Sequence, residues 1–410
     1  LLHSIVIAGT GQAGFQTAAS LRQDGFDGPV IIIGDEPGLP YQRPPLSKAY
    51  LMGKTSAEAL SFRPEKFFVD NEIEVLAQTR VTAIDRTNKR VALSSGGALE
   101  YDHLVLALGA HNRALPIPGA DLKGVFGLRT LADADAIEAM LADAQEVVVA
   151  GAGFIGLEFA AVASALGKSV HVLELADRPM ARAVSPAMSQ LFAEAHQSWG
   201  VQIDFGQGLA RIQGKSGRVS GVETTNGRRR AADIIVVGIG VLPNVAIAAE
   251  AGLDIDNGIK VDAALVTCDP HISAIGDCAS FPSPYAGSHI RLESVQNAAD
   301  HGRAVAARLM GKAAPYAAVP WFWSDQRDLK LQIAGLSIGA DETIVAGNPD
   351  ERRMSALCFR RDKLIAVESV NRGSDHVAAR KIFGRGAPAL TAAEASKPDF
   401  DLKAWEAATR

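Results

Sequence analysis

The sequence predicts an α/β chain in which one strand, glycine turn and helix unit is built twice, the second copy inserted into the first, with an α+β domain at the end. Three observations predict this. "SIVIAGTGQAG" (4–14) and "VVVAGAGFIG" (147–156) share one grammar, an apolar burst followed by G-x-G-x-x-G. Each is followed at a similar distance by a strand with a glycine end, "HLVLALGA" (103–110) and "DIIVVGIGVLPN" (233–244). From about Trp321 the chain changes to short alternating segments, "LKLQIAGLS", "ETIVAG" and "MSALCFRRDKLIAVESV", then a helical "DHVAARKIFG".

The first unit begins with a β-branched run, Ser4 to Ala8, and continues from Gln12 to Gln23 with helical spacing. Between them the glycines have separate jobs. Gly9 makes the tight turn, Gly11 lets a pyrophosphate approach the backbone, and Gly14 lets helix pack on strand, while the helix N-terminus favours negative charge. "VIIIGDE" (30–36) is a buried parallel strand with acids at its carboxyl end, completing a βαβ unit; Asp35, with Glu36 as second choice, is where a ribose would be met. Strand before, helix after and acid following make this a Rossmann-like dinucleotide site.

The second copy repeats each part. Gly151, Gly153 and Gly156 form the turn, and "SVHVLELADR" ends its apolar run at Glu174, 23 residues after Gly151. That is close to the roughly 20 expected for an acid that binds a ribose 2′-hydroxyl. A carboxylate there repels a 2′-phosphate, so NADH is favoured over NADPH; Arg178 is the competing residue, because an arginine can accept that phosphate.

Later elements complete both folds. "VTCDPHISAIGDCA" (266–279) returns to a strand with Gly276 and Asp277 at its end, and "RLESVQNAADHGRAVAARL" starts a long helix. The expected domains are 1–112 with 244–319, 113–243, and 320–410, with 387–410 as a surface-wrapping tail. A chain of 410 residues accommodates two or three domains. Cys268, Cys278 and Cys358 show no C-x-x-C and no metal-ligand spacing, which argues against a metal site, a disulfide scaffold or a redox dithiol and for a reduced cytoplasmic setting. No apolar stretch reaches a membrane span. Net charge is −5, yet residues 301–410 carry 17 basic against 13 acidic residues, a hint of an acidic macromolecular partner.

In this order, GTGQAG, LALGA, GAGFIGLE, GIGVLPN and TCDPHISAIGDCA make the chain resemble the two-dinucleotide flavoprotein disulfide reductases of the glutathione-reductase fold. "PYQRPPLSKAYL" (40–51) and "PWFWSDQ" (320–326) narrow the resemblance to the putidaredoxin-reductase-like NADH-dependent ferredoxin reductases of bacterial monooxygenase and dioxygenase systems. The departure is from the disulfide reductases, which carry two redox cysteines where residues 41–50 here have none.

The resemblance implies FAD at the first turn and NADH at the second, a hydride passing to FAD and single electrons to a 2Fe-2S ferredoxin, with no nucleic acid and no membrane as partners. It assigns Gly9, Gly11, Ala13 and Gly14 to the FAD pyrophosphate, Asp35 to the ribose, Arg43 and Lys48 to the phosphate and isoalloxazine side, and Val81 to the adenine. Gly109 and Arg129 would border the cofactor, Asp277, beside Gly276, would bind its ribitol region, and Val295 would lie near the pyrimidine. Gly151, Gly153, Phe154, Ile155, Gly156, Glu174 and Gly240 would form the NADH site. Glu158 would pair with Lys48 near the reacting flavin nitrogen, and Trp323 would lie beside the flavin where ferredoxin docks. Arg303, Lys330, Arg360, Arg361 and Arg372 are candidates for a docking rim. Two alternatives stay open: an NADH oxidase or small-acceptor reductase, for quinone or monodehydroascorbate, and an NADH-responsive flavin-binding signalling protein.

Overall fold

Short β-branched runs such as IVIA, VIII and HLVL are apolar on both faces, so they are stable only where a sheet is covered on both sides. In the computed structural model, which describes residues 2–312, 314–386 and 388–409, they form such a sheet. The chain divides into two compact units. The first is drawn from the residues up to Gln42, Glu58–His111 and Leu242–Pro320, the second from Arg43–Ala57, Asn112–Val241 and the residues from Trp321 onward.

The first unit's parallel sheet has the order Ile272–Ala274, His103–Leu106, Ile5–Ala8, Val30–Ile33, Ile73–Leu76, with Ile5 in register with both Val30 and His103. All four residues of Ile5–Ala8 and of His103–Leu106 are buried. The Gln12–Gln23 helix packs against the Val295–Leu309 helix so closely that a Cβ on Gly302 would lie 2.9 Å from the Ala13 carbonyl oxygen. An antiparallel meander of Val81–Asp85, Arg90–Leu93 and Ala98–Glu100 separates the third and fourth strands in the chain.

The second unit repeats this plan. Its parallel sheet runs Gln202–Phe205, Ser169–Glu174, Glu146–Ala150, Ile234–Val237, Val125–Gly127, and its meander is Leu209–Lys215, Arg218–Thr224 and Arg229–Ala231. The edge strand differs: Val125–Gly127 precedes the glycine turn in the chain, whereas Ile272–Ala274 follows it. The same unit contains a five-stranded antiparallel sheet ordered Trp321–Gln326, Leu329–Gly335, Lys363–Val370, Arg353–Arg360, Glu342–Asn348, with the Gly373–Gly384 helix against it. This is the expected α+β element.

Three expected elements are corrected. The strand expected through Glu36 ends at Ile33, because a Cβ on Gly34 would lie 2.2 Å from the Thr10 hydroxyl and the chain must bend past the glycine turn. The strand expected over 103–110 ends at Leu106, where the Ala107 carbonyl lies against Gly9. The tail, whose ends Ala387 and Arg410 lie outside the described residues, is not a simple wrapping segment. It forms the Ala392–Ala395 and Leu402–Ala408 helices, with Leu390, Ala392, Ala395 and Leu402 buried. Among the described residues no helix is long and apolar enough to cross a membrane.

Candidate functional site

In the first unit the turn can be tested for what it is shaped to hold. A Cβ on Gly9 would lie 2.0 Å from the Ala107 carbonyl oxygen, and one on Gly14 would lie 2.0 Å from the Gly9 carbonyl oxygen, so both are glycines for the protein's own packing. Gly11 is different. Its backbone is ordinary extended, and a Cβ there would meet nothing within 4 Å. It is also the N-cap of the Gln12–Gln23 helix and has no side chain to compete for the first-turn N–H groups. Open space above those donors fits a pyrophosphate held by backbone.

Around this cradle the first unit gathers the other expected residues. Ala13 is buried and would touch a Cβ on Gly276, which begins the short 3-10 turn Gly276–Cys278 carrying Asp277. The Gly276 N–H donates to His301 Nδ1 at 3.1 Å, and Arg291 donates to the Asp277 carbonyl at 3.1 Å. Burial pushes His301 down to about 3, so it stays a neutral acceptor. Val295 is the first residue of its helix, after the N-cap Ser294. The Asn244 side chain donates to the Leu108 carbonyl at 2.7 Å and its N–H to the Gly109 carbonyl at 3.0 Å, which brings the LPN and LALGA motifs together. Val81 is buried at the start of the meander. Asp35 is exposed and pairs with Arg80 at 2.9 Å, while Glu36 accepts from the Tyr41 hydroxyl.

The second turn has the same three-way division. A Cβ on Gly151 would lie 2.5 Å from the Gly238 carbonyl oxygen and one on Gly156 2.1 Å from the Gly151 carbonyl oxygen, whereas Gly153 has nothing nearer than 3.8 Å. Phe154 is half-buried and Ile155 exposed at the helix start; Gly240 faces open space. The Glu174 carboxylate accepts from the Ala152 N–H at 2.6 Å and the Ala176 N–H at 2.8 Å, and so stands at the turn in a fixed orientation. Arg178 is turned elsewhere. Its guanidinium donates to the Val184 and Ala181 carbonyls and to Ser189 Oγ.

Also in the second unit, Glu158 is 3% exposed and ion-paired with Lys48 at 2.6 Å; Ser47 and Ser324 donate to its carboxylate at 2.5 and 2.7 Å. Burying a carboxylate demands such company. Lys48 comes from the segment after the Pro44–Ser47 turn, Glu158 from the Phe154–Ala165 helix and Ser324 from the Trp321–Gln326 strand. Arg43 donates to the Arg129 carbonyl at 2.9 Å, just before the capping box that starts the Leu131–Leu141 helix. Trp323 is half-buried, its ring centroid 5.4 Å from that of Trp321.

Of the rim candidates, Lys330, Arg360, Arg361 and Arg303 are exposed, Arg303 in a surface ion pair with Asp300 at 2.8 Å, whereas Arg372 is partly buried and committed to Asp375 at 2.7 Å. All three cysteines are free thiols. Cys278 and Cys358 are fully buried, and burial pushes the Cys278 thiol up to about 11 and Cys358 higher still. Neither is a poised nucleophile. Sequence reading missed Ser47, Ser324, Gln326, His196, His301 and Arg80. Strand alternation was the available signal for Ser324 and Gln326, which lie on the face opposite Trp323.

Residues 3–302 match the family described as pyridine nucleotide-disulphide oxidoreductase, and residues 321–405 match the reductase C-terminal domain. The chain is 51% identical over 400 residues to rhodocoxin reductase of Rhodococcus erythropolis, covering 98% of this chain and 93% of that protein. It resembles the crystal structure of the ferredoxin reductase for the CYP199A2 system of Rhodopseudomonas palustris with a TM-score of 0.96 and 51% identity, over 98% of this chain and 99% of that one. It also resembles the covalent putidaredoxin reductase–putidaredoxin complex, with a TM-score of 0.95 and 38% identity, over 99% and 98% of the two chains.

Proposed function

This chain belongs to the pyridine nucleotide-disulphide oxidoreductase family, and from that premise we propose that it is an NADH:ferredoxin reductase. It is an oxidoreductase whose cofactors are FAD and NADH. FAD, when bound, supplies a centre that takes up one hydride, two electrons with a proton, and gives the two electrons up singly. The observation that carries the reading is the pair of open cradles at Gly11 and Gly153 in a chain with no cysteine in residues 41–50: two dinucleotides are provided for, and no dithiol stands between them and the acceptor.

In the first unit the turn Gly9, Gly11, Ala13 and Gly14 would take the FAD pyrophosphate, with Gly9 and Gly14 shaping the turn and Gly11 leaving it open; Asp35 would take the adenosine ribose, Asp277 and Gly276 the ribitol side, and Val81, Gly109 and Val295 the rest of the cofactor. In the second unit Arg43 and Arg129 are assigned to the same cofactor. Gly151, Gly153, Phe154, Ile155, Gly156, Glu174 and Gly240 receive NADH. With Glu174 held at the turn and Arg178 spent on Val184, Ala181 and Ser189, neither of these two residues favours a 2′-phosphate. Lys48, ion-paired with Glu158 at 2.6 Å, stabilises negative charge as it develops. Trp323 serves electron exit. The acceptor is an acidic 2Fe-2S ferredoxin of a bacterial oxygenase system, steered by Lys330, Arg360 and Arg361. The free thiols suit a reducing cytoplasm.

The test is NADH-dependent cytochrome c reduction with and without an added 2Fe-2S ferredoxin, with oxygen uptake followed in the same cell. Ferredoxin-dependent rates that fall with salt are expected; NADH loss with oxygen uptake and no ferredoxin effect would overturn the reading.

A further inference from the structure

Behind the Lys48–Glu158 pair runs a buried polar chain through three separate elements. Ser324 Oγ, which donates to Glu158 at 2.7 Å, lies 3.1 Å from Gln326 Nε2; Gln326 Oε1 lies 2.7 Å from His196 Nε2 in the Pro186–Ser198 helix. Ser324, Gln326 and His196 are at most 1% exposed. The direction of every proton in this chain follows from one charge. A hydroxyl has one proton, and a carboxylate can only accept, so Ser324 spends its proton on Glu158. Its remaining lone pairs require a donor, which is the Gln326 amide nitrogen; the amide oxygen therefore faces His196, which must donate from Nε2. Such a chain, with each donor aimed at the next acceptor and the last at an anion, polarises cooperatively in a dry interior.

The histidine is fitted to this task. Burial pushes it down to about 4, which keeps the ring neutral, and its Nδ1 has no hydrogen-bond partner among the described residues. The ring sits edge-on to Trp199, centroids 4.8 Å apart. An isolated structural histidine would not need this register, but a donor that must point one way does. Ser324 and Gln326 are on one face of the strand and Trp321 and Trp323 on the other, so the same contacts also pin the face opposite the tryptophans.

We propose that His196, Gln326 and Ser324 are positioning residues that hold the Glu158 carboxylate, and through it the Lys48 ammonium, in the orientation used for hydride transfer. This rests on the role given to Lys48 above. Glu158 Oε2 already takes Lys48 and Ser47, so Ser324 is the described donor on Oε1 and the one that stops the carboxylate rotating away.

The experiment has two arms on the FAD-loaded protein. In the first, ¹⁵N-histidine NMR should find His196 as the Nε2–H tautomer with a slowly exchanging proton, lost in Gln326→Met; an Nδ1–H tautomer or a fast-exchanging proton overturns the chain whatever the enzyme's rate. In the second, anaerobic stopped-flow follows flavin reduction by NADH. His196→Phe should slow reduction about tenfold, and His196→Gln, which keeps an N–H, should recover most of it. Ser324→Ala, a one-atom deletion that spares the helix, should slow it similarly. In a Lys48→Met background, His196→Phe should cost less than about twofold more. Losses that multiply independently overturn the positioning role. A Lys48→Met variant that reduces at the parent rate overturns the role of Lys48, while the imidazole proton still reports on the chain.

Discussion

In both halves the first glycine of the turn has a left-handed φ, +127° at Gly9 and +99° at Gly151, and in both the third glycine touches the first one's carbonyl while a Cβ on the second would meet nothing nearer than 3.8 Å. What lies beside the two turns is not alike. At the first, Ala13 is buried against Gly276 and the Val295–Leu309 helix is packed onto the Gln12–Gln23 helix. At the second, Phe154 and Ile155 stand at the helix start half-buried and exposed. The acids differ too: Asp35 is solvent-facing with an arginine partner, whereas Glu174 is locked by two backbone N–H groups. A turn walled in by other elements suits a cofactor that stays, and a turn with an open apolar lip suits one that comes and goes.

The largest effect should come from filling the steric contacts. Gly14→Val should yield protein without flavin, since its Cβ meets backbone that cannot yield, and Gly156→Val should yield yellow protein that NADH reduces at least about a hundredfold more slowly. The 450 nm absorbance after gel filtration, followed by NADH mixing, separates the two; equal flavin loss in both would erase the distinction.

Acid should strike both halves together. His103 and His301 in the first unit are pushed down to about 3 by burial, and His196 and His376 in the second to about 4. Their depressed values mean that the unfolded chain binds more protons below its ordinary histidine value near 6.5, so stability is full above that pH and is lost as pH falls towards 4 for His196 and His376 and towards 3 for His103 and His301. The slope is about 1.4 kcal/mol per pH unit for each histidine that stays neutral. Circular dichroism and flavin release should therefore share one acid transition; flavin leaving well before helix is lost would assign the weakness to the first unit alone.

Glu174→Arg should move the NADH to NADPH preference in kcat/KM by at least about tenfold, and it also removes two hydrogen bonds that shape the turn. An unmoved ratio would mean that Glu174 is a turn support and not a discriminator. His301→Leu leaves the Gly276 N–H without its acceptor and should weaken FAD binding about tenfold, with Asp277→Ala weakening retention through the same turn. Smallest of all, Asp35→Asn should change FAD affinity less than about threefold, because an exposed ion pair contributes little. A larger loss would make the two acids more alike than their surroundings suggest.

The glycine turns were legible because their chemistry is local: spacing, a strand before and a helix after. So was the repeated sheet, since IVIA and VVVA can only be buried parallel strands. Strand ends were not, because Gly34 and Ala107 are placed by contacts with Thr10 and Gly9 from distant parts of the fold. The first tail helix could have been read from Thr391 and Glu394, whose three-residue spacing is a capping box. The chain from Glu158 to His196 was out of reach, since four residues on three elements meet only through tertiary packing.

The first unit's discontinuity bears on how the protein is made. Gly9, Gly11 and Gly14 leave the ribosome early, but the strand Ile272–Ala274 that closes the sheet, and Gly276, Asp277 and Val295 after it, come more than 250 residues later. At about 5 to 20 residues per second that interval is roughly 15 to 50 s. Throughout it the whole Asn112–Val241 portion emerges while the first sheet still lacks its edge. Flavin capture is accordingly a late event in synthesis, and nascent chains stalled before Asp277 should be colourless however much FAD surrounds them.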